Sequence, residues 1–281
     1  LDGIPIGDFA KDKINNLIGD VLLLDKNRSM TFLLRAFRIG NPSENKLIER
    51  WENFLLCYEI IYWNGYYYKA KAFRENFENI FKTINLNLDD CNNLLVKYFK
   101  KEEWFSYYWD HLGEKTKELF EIEKNKWNTN AYGWEKTAYF LYKFEIDNNE
   151  KDCKIRQHIF KKNSVSIDHI VARGLSWDNL GFKRETEEDI RKSEESWKEI
   201  SNVINGIGNL SLSTSSANSA DSNGLPYQHI NSFKKFGLEK TVEIIKDWDN
   251  PNEFAFKIAE RNEIIRKFIK EKIINREDIW E

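Results

Sequence analysis

Proline is scarce, with four in 281 residues, and a chain with so few helix breakers can hold long helices. Cysteine is scarce too. Cys57, Cys91 and Cys153 stand far apart with no C-x-x-C pair, which excludes a disulfide framework and a cysteine-ligated zinc. No apolar run approaches the roughly 20 residues that cross a bilayer, and the opening "LDGIPIGDFAKD" lacks the charged-then-apolar layout of a signal peptide. A soluble, cytoplasmic chain with no membrane partner is the expectation. Base is not in excess either: 43 Lys and Arg meet 46 Asp and Glu, a net charge of −3. Such a chain does not coat nucleic acid through charge alone, although a local basic patch can still hold phosphates.

What the chain does have is apolar and aromatic side chain, 41% and 15% of its residues, enough to fill real cores. In the first half these residues recur at helical spacing. Ile14, Leu17, Ile18, Val21 and Leu22 mark one buried face, and a second helix is predicted over "MTFLLRAFRI", stopping at Gly40 with Pro42 beyond. Ser43 reads as the N-cap of a third, striped by Leu47, Trp51, Phe54, Leu55, Tyr58 and Ile61. Aromatics then crowd "YYYKAKAF", "EEWFSYYWDHL" and "YGWEKTAYFLYKFEI". Core packing explains them better than base stacking, and the last is apolar on more than one side, as a central helix is. The polar stretch "DNNEKDCK", residues 147 to 154, marks a boundary. Three regions are expected, 1–65, 66–150 and 151–281.

The third region changes character. Val165 and Ile167 alternate like a strand and lead into Asp168 and His169, one of only four histidines. Asp is a hard oxygen ligand for a divalent cation, and a neutral His can take a proton from water. Neighbours on a strand face opposite ways, so if both serve one site the strand must end at about Ile167. Thr186, with Asp189 three residues on, then starts an inserted helix carrying Ile190, Trp197, Ile200 and Ile204 on one side. In "GNLSLSTSSAN", Asn209 and Asn218 bracket the alternating Leu210 and Leu212. Asn218 reads as a hard, uncharged ligand of the kind Mg²⁺ accepts, or as a helix cap, or as both. Ile258, Ile265, Ile269 and Ile273 form the spine of a terminal helix.

The basic window from Lys151 to Arg184 lies around this pair, and Arg173 within it reads either as a phosphate clamp or as a solvated side chain. The inserted helix, "ETEEDIRKSEESWKE", is acidic and expected to face away. His111 and His158 read as structural, and His229 as packing or capping.

The string "SIDHI…IGNLSLSTSSANSADSN", followed by Phe233, Lys234 and Lys235, resembles the HNH, or ββα-metal, endonuclease domain at the C-terminus of GmrSD-type, type IV restriction endonucleases. The likeness runs over about residues 70 to 275 and is strongest from 164 to 235. It implies a mainly α (α+β) fold, a helical domain followed by an HNH core with an inserted helix and C-terminal helices. By the same likeness residues 1–65 are the tail of a preceding domain, and a nucleotide-binding sensor half lies outside this chain, which begins at Leu1.

The resemblance assigns roles. Asp168 and Asn218 bind Mg²⁺ or Mn²⁺, His169 activates water, Asn209 fixes the loop, and Lys234 and Lys235 hold the DNA backbone. The substrate class is modified foreign DNA. Ala172 stands where the family carries a proline after the histidine, so a softer turn is expected, and the interval from His169 to Asn209 is long. A non-catalytic binding module on the same scaffold and an RNA-directed nuclease are the alternatives.

Overall fold

The computed structural model describes residues 16–22, 24–42, 46–63, 75–76, 78–100, 130–134, 136–147, 165–174, 177–214, 225–274, 276 and 278. Among them the chain is mainly helical with one small antiparallel sheet. No helix among the described residues is long and apolar enough to cross a membrane. The chain divides into two compact units, residues 1–117 with 270–281, and residues 118–269. Ser43, Cys153, His111, His158, Asn218 and the segments "YYYKAKAF" and "EEWFSYYWDHL" lie outside the described residues.

In the first unit, α1 (Lys26–Ile39), α2 (Leu47–Trp63) and α3 (Leu88–Lys100) carry the core. Helix α1 begins four residues before the predicted Met30, because the Asp25 side chain accepts the Arg28 N–H and caps it there. It ends at Gly40, as predicted. Trp51, fully buried, stacks on Phe32 with ring centroids 4.1 Å apart, and its indole N–H donates to Ser29 Oγ at 3.4 Å. The predicted stripe of α2 is buried from Leu47 through Tyr58, and residues off it, among them Ile48, Asn53, Leu56 and Ile60, are buried as well. On α3, burial pushes the Cys91 thiol up to about 12, so it is an inert packing group.

The second unit holds α4 (Thr137–Ile146), β1 (Val165–His169), α5 (Glu187–Val203), β2 (Leu210–Thr214), α6 (Pro226–Phe236), α7 (Glu239–Ile245) and α8 (Phe254–Phe268). Helix α4 is buried nearly all round, as its sequence predicts. It packs on β2 and α7. The predicted cap of the inserted helix is present: Thr186 Oγ1 accepts the Asp189 N–H at 3.1 Å, and the Asp189 carboxylate accepts the Thr186 N–H at 3.1 Å. Along α5, Ile200 is buried but Ile190 is 36% exposed, and Ser193 takes the inner place. Ser193 can sit there because its hydroxyl donates to carbonyls of Asp189 and Lys183. The glutamates of α5 face solvent.

Ile258, Ile265, Ile269 and Ile273 are all buried, as the terminal spine predicts. Helix α8 also crosses the turn Ile207–Asn209 very closely. A Cβ placed on Gly208 would lie 2.0 Å from the Ile258 carbonyl oxygen, so only glycine lets the two backbones meet. The same contact is locked by Arg261, fully buried on α8. Its guanidinium donates to the carbonyls of Gly208 at 2.9 Å and Leu210 at 2.8 Å, and to Thr241 Oγ1 at 2.9 Å. Burial lowers the Arg261 pKa to about 10, and the nearby Glu145 opposes that shift, so the side chain is charged at neutral pH. Glu145 accepts the Thr241 hydroxyl and the backbone N–H groups of Lys240 and Thr241, and burial raises its pKa against these bonds.

Candidate active site

Strands β1 and β2 pair antiparallel, with Asp168 opposite Ser211 and His169 opposite Leu210. This corrects the expected end of β1 at Ile167. The ladder runs through His169, and the Ile170 N–H continues it by donating to the Asn209 carbonyl at 2.8 Å. Asp168 and His169 are therefore successive residues of one strand, and no turn relieves the alternation between them. The Asp168 carboxylate instead folds along the strand, where Oδ1 accepts the backbone N–H of His169 at 2.8 Å. Both side chains are buried.

Asn209 reaches the other side of the same turn. Its Oδ1 accepts the Val171 N–H at 2.8 Å, and its Nδ2 donates to the carbonyls of Val171 at 3.1 Å and Ile204 at 2.8 Å. Two segments 38 positions apart are thus stitched together directly behind His169. Val171 and Ala172 are buried and their turn is held by hydrogen bonds rather than by a ring.

The His169 imidazole has a hydrogen bond and a ring contact. Nε2 donates to Asn205 Oδ1 at 3.1 Å, and the ring of Tyr132 lies 4.5 Å away, tilted by 42°. The Tyr132 backbone N–H donates to the Asn205 carbonyl at 3.0 Å, so the two contacts are tied to each other. The Arg173 guanidinium lies 6.0 Å from the Tyr132 ring centroid and is exposed. Burial holds the His169 imidazole below its ordinary value, the Arg173 charge acts the same way, and the Asn205 bond opposes both.

Lys234 and Lys235 occupy the last turn of α6, exposed, where they also complement the negative helix end. Gly237, at φ 76°, ends that helix. His229 is buried and stacked on Phe233 with centroids 5.7 Å apart, the packing role expected of it.

Residues 114–276, more than half of the chain, match the family of GmrSD restriction endonucleases, C-terminal domain. The chain belongs to that family. The GmrSD match spans β1, β2, Asn205, Asn209 and α8 together, so the stitched turn is a feature of the matched region. GmrSD proteins are restriction endonucleases, which makes the function to be tested one of the nuclease type on DNA. No curated protein and no solved structure matches the chain.

Pattern reading misses Asn205 and Tyr132. Asn205 lies in "NGIGNL", which reads as a glycine-rich turn, and only its spacing of four from Asn209 hints at a shared site. Tyr132 is assigned from its sequence to a buried helix. It sits instead in the short turn Ala131–Gly133, 39% exposed.

Proposed function

We propose that the chain is a metal-dependent HNH endonuclease that hydrolyses DNA phosphodiester bonds, the nuclease part of a type IV, modification-dependent restriction or phage-defence protein. One observation carries the reading. The Asn209 side chain bonds Val171 in both directions, which joins the "DH" strand to the "GNL" turn as one hairpin beneath a buried acid and imidazole. Membership of the GmrSD family supports the substrate class.

The donor set suits a hard cation. Asp168 would supply a carboxylate from the position before the histidine, and Asn218 would supply a neutral amide oxygen, a combination Mg²⁺ or Mn²⁺ accepts with water in the remaining positions. The cation, when bound, stabilises negative charge on the phosphate and the leaving oxygen. His169, whose pKa burial lowers, would take the proton of the attacking water. Asn209 keeps the turn behind it from collapsing. Arg173, Lys234 and Lys235 are exposed cations that would meet the phosphate backbone.

Incubating the protein with plasmid DNA and with RNA, in Mg²⁺, Mn²⁺ or EDTA, tests this. DNA cut in either metal and spared in EDTA is the expected result, with His169→Ala silent. RNA cut in place of DNA moves the substrate to RNA, and failure to cut either polymer in any metal leaves the non-catalytic module standing.

A further inference from the structure

An imidazole that takes a proton from water must present one particular nitrogen, and a free histidine side chain interconverts its two neutral tautomers. Around His169 that freedom is removed. Asn205 Oδ1 lies 3.1 Å from Nε2, and a carboxamide oxygen only accepts, so the neutral ring keeps its proton on Nε2 and its lone pair on Nδ1. The Tyr132 ring lies 4.5 Å from the same imidazole, tilted by 42°. The Asn205 carbonyl also accepts the Tyr132 N–H at 3.0 Å, which ties the hydrogen bond and the ring contact to each other. A carboxylate in this place would raise the basicity of the ring; the neutral amide fixes the proton without adding charge.

The geometry points to Asn205 as the positioning residue of the site: it pins the His169 proton on Nε2 and thereby presents Nδ1 as the atom that accepts the proton of water. This rests on the nuclease reading above. In the step itself a water O–H bond breaks and its proton moves to Nδ1. The hydroxide oxygen then forms the new bond to phosphorus as the bond to the leaving oxygen breaks. The imidazolium keeps its Nε2–H on Asn205 throughout, so the ring need not turn between ground and transition states.

The test uses the full chain, ¹⁵N-labelled at histidine, with and without Mg²⁺, together with Asn205→Leu and Asn205→Asp. The expected wild-type spectrum shows His169 protonated at Nε2 with a lone pair on Nδ1. Asn205→Leu removes the acceptor and should give mixed tautomers and a drop of roughly 10- to 100-fold in kcat on duplex DNA, with KM little changed. Asn205→Asp keeps an acceptor oxygen and should restore the tautomer, while moving the acid limb of the rate to higher pH. A purely structural asparagine would produce neither that restoration nor that displacement. The inference is overturned if the Leu variant keeps the wild-type tautomer, or if its kcat stays within about twofold of wild type. If the tautomer follows Asn205 yet the wild-type protein cuts no nucleic acid, the hold on His169 stands and the nuclease reading fails.

Discussion

The two strand ends that meet at the site are built differently. At the start of β2, Asn209 is completely buried, and its side chain makes three hydrogen bonds while its carbonyl takes a fourth. Beneath it Arg261 holds the carbonyls of Gly208 and Leu210. At the end of β1, the His169 ring has one side-chain hydrogen bond and a tilted contact with a part-exposed tyrosine. One side is over-determined scaffold and the other is held just enough to keep its orientation. On the nuclease reading proposed above, stability and chemistry fall on opposite strands, and substitutions should separate them.

The sharpest way to break the scaffold side is Arg261→Met. It leaves Glu145 without its opposing charge and takes the guanidinium away from the Gly208 and Leu210 carbonyls, and should cost roughly 3–5 kcal/mol. The measurement is a urea midpoint, and a loss under about 1 kcal/mol would mean that water replaces the guanidinium. Asn209→Ala comes next. The Val171 N–H it orphans is buried, so a loss of roughly 1–3 kcal/mol is expected. Because this variant also frees the turn behind His169, it should lower DNA cutting at temperatures where the protein is still fully folded. Activity unchanged in folded Asn209→Ala would divorce the two strands. Smaller again is Thr186→Ala, which removes the cap of α5 away from the hairpin and should cost about 1 kcal/mol with cutting unaltered.

Much of this organisation can be read from the chain, and where it cannot the reason is physical. Helices α1, α2, α4 and α8 announce themselves because each must bury a stripe, or its whole surface, and the 3.6-residue period records that need. The α5 cap is equally legible, since Thr186 and Asp189 bond each other within a single turn. Ile190 is misread because a helix that covers only part of a core leaves some of its stripe in solvent. The end of β1 is misread for another reason. The ladder is extended by a hydrogen bond from Ile170 to Asn209, a long-range partner that no local pattern encodes. Asn205 and Tyr132 are hidden for the same reason: each matters through the ring of His169, distant in sequence, and neither has a pattern of its own.

The finest prediction concerns the lightly held side. The His169 pKa lies below its ordinary value, chiefly through burial and secondarily through the Arg173 charge. In the unfolded chain the ring titrates near 6.5, so between that pH and the lower folded value the unfolded state binds the extra proton. Stability is then unaffected by this residue above about 6.5, falls as the pH drops through 6.5, and levels off below the folded pKa. His169→Gln cannot titrate and should lose less stability than wild type between pH 7.5 and 5.5, measured as urea midpoints in EDTA. Arg173→Gln should lie between the two, since it removes the secondary cause and leaves burial in place. The Asn205 bond favours the charged ring and works against the shift, but burial outweighs it and the sign is kept. If wild type and His169→Gln lose stability in parallel, the ring is wetter than its contacts with Tyr132 and Asn205 imply, and the contrast between the two strand ends is one of geometry without a matching difference in electrostatics.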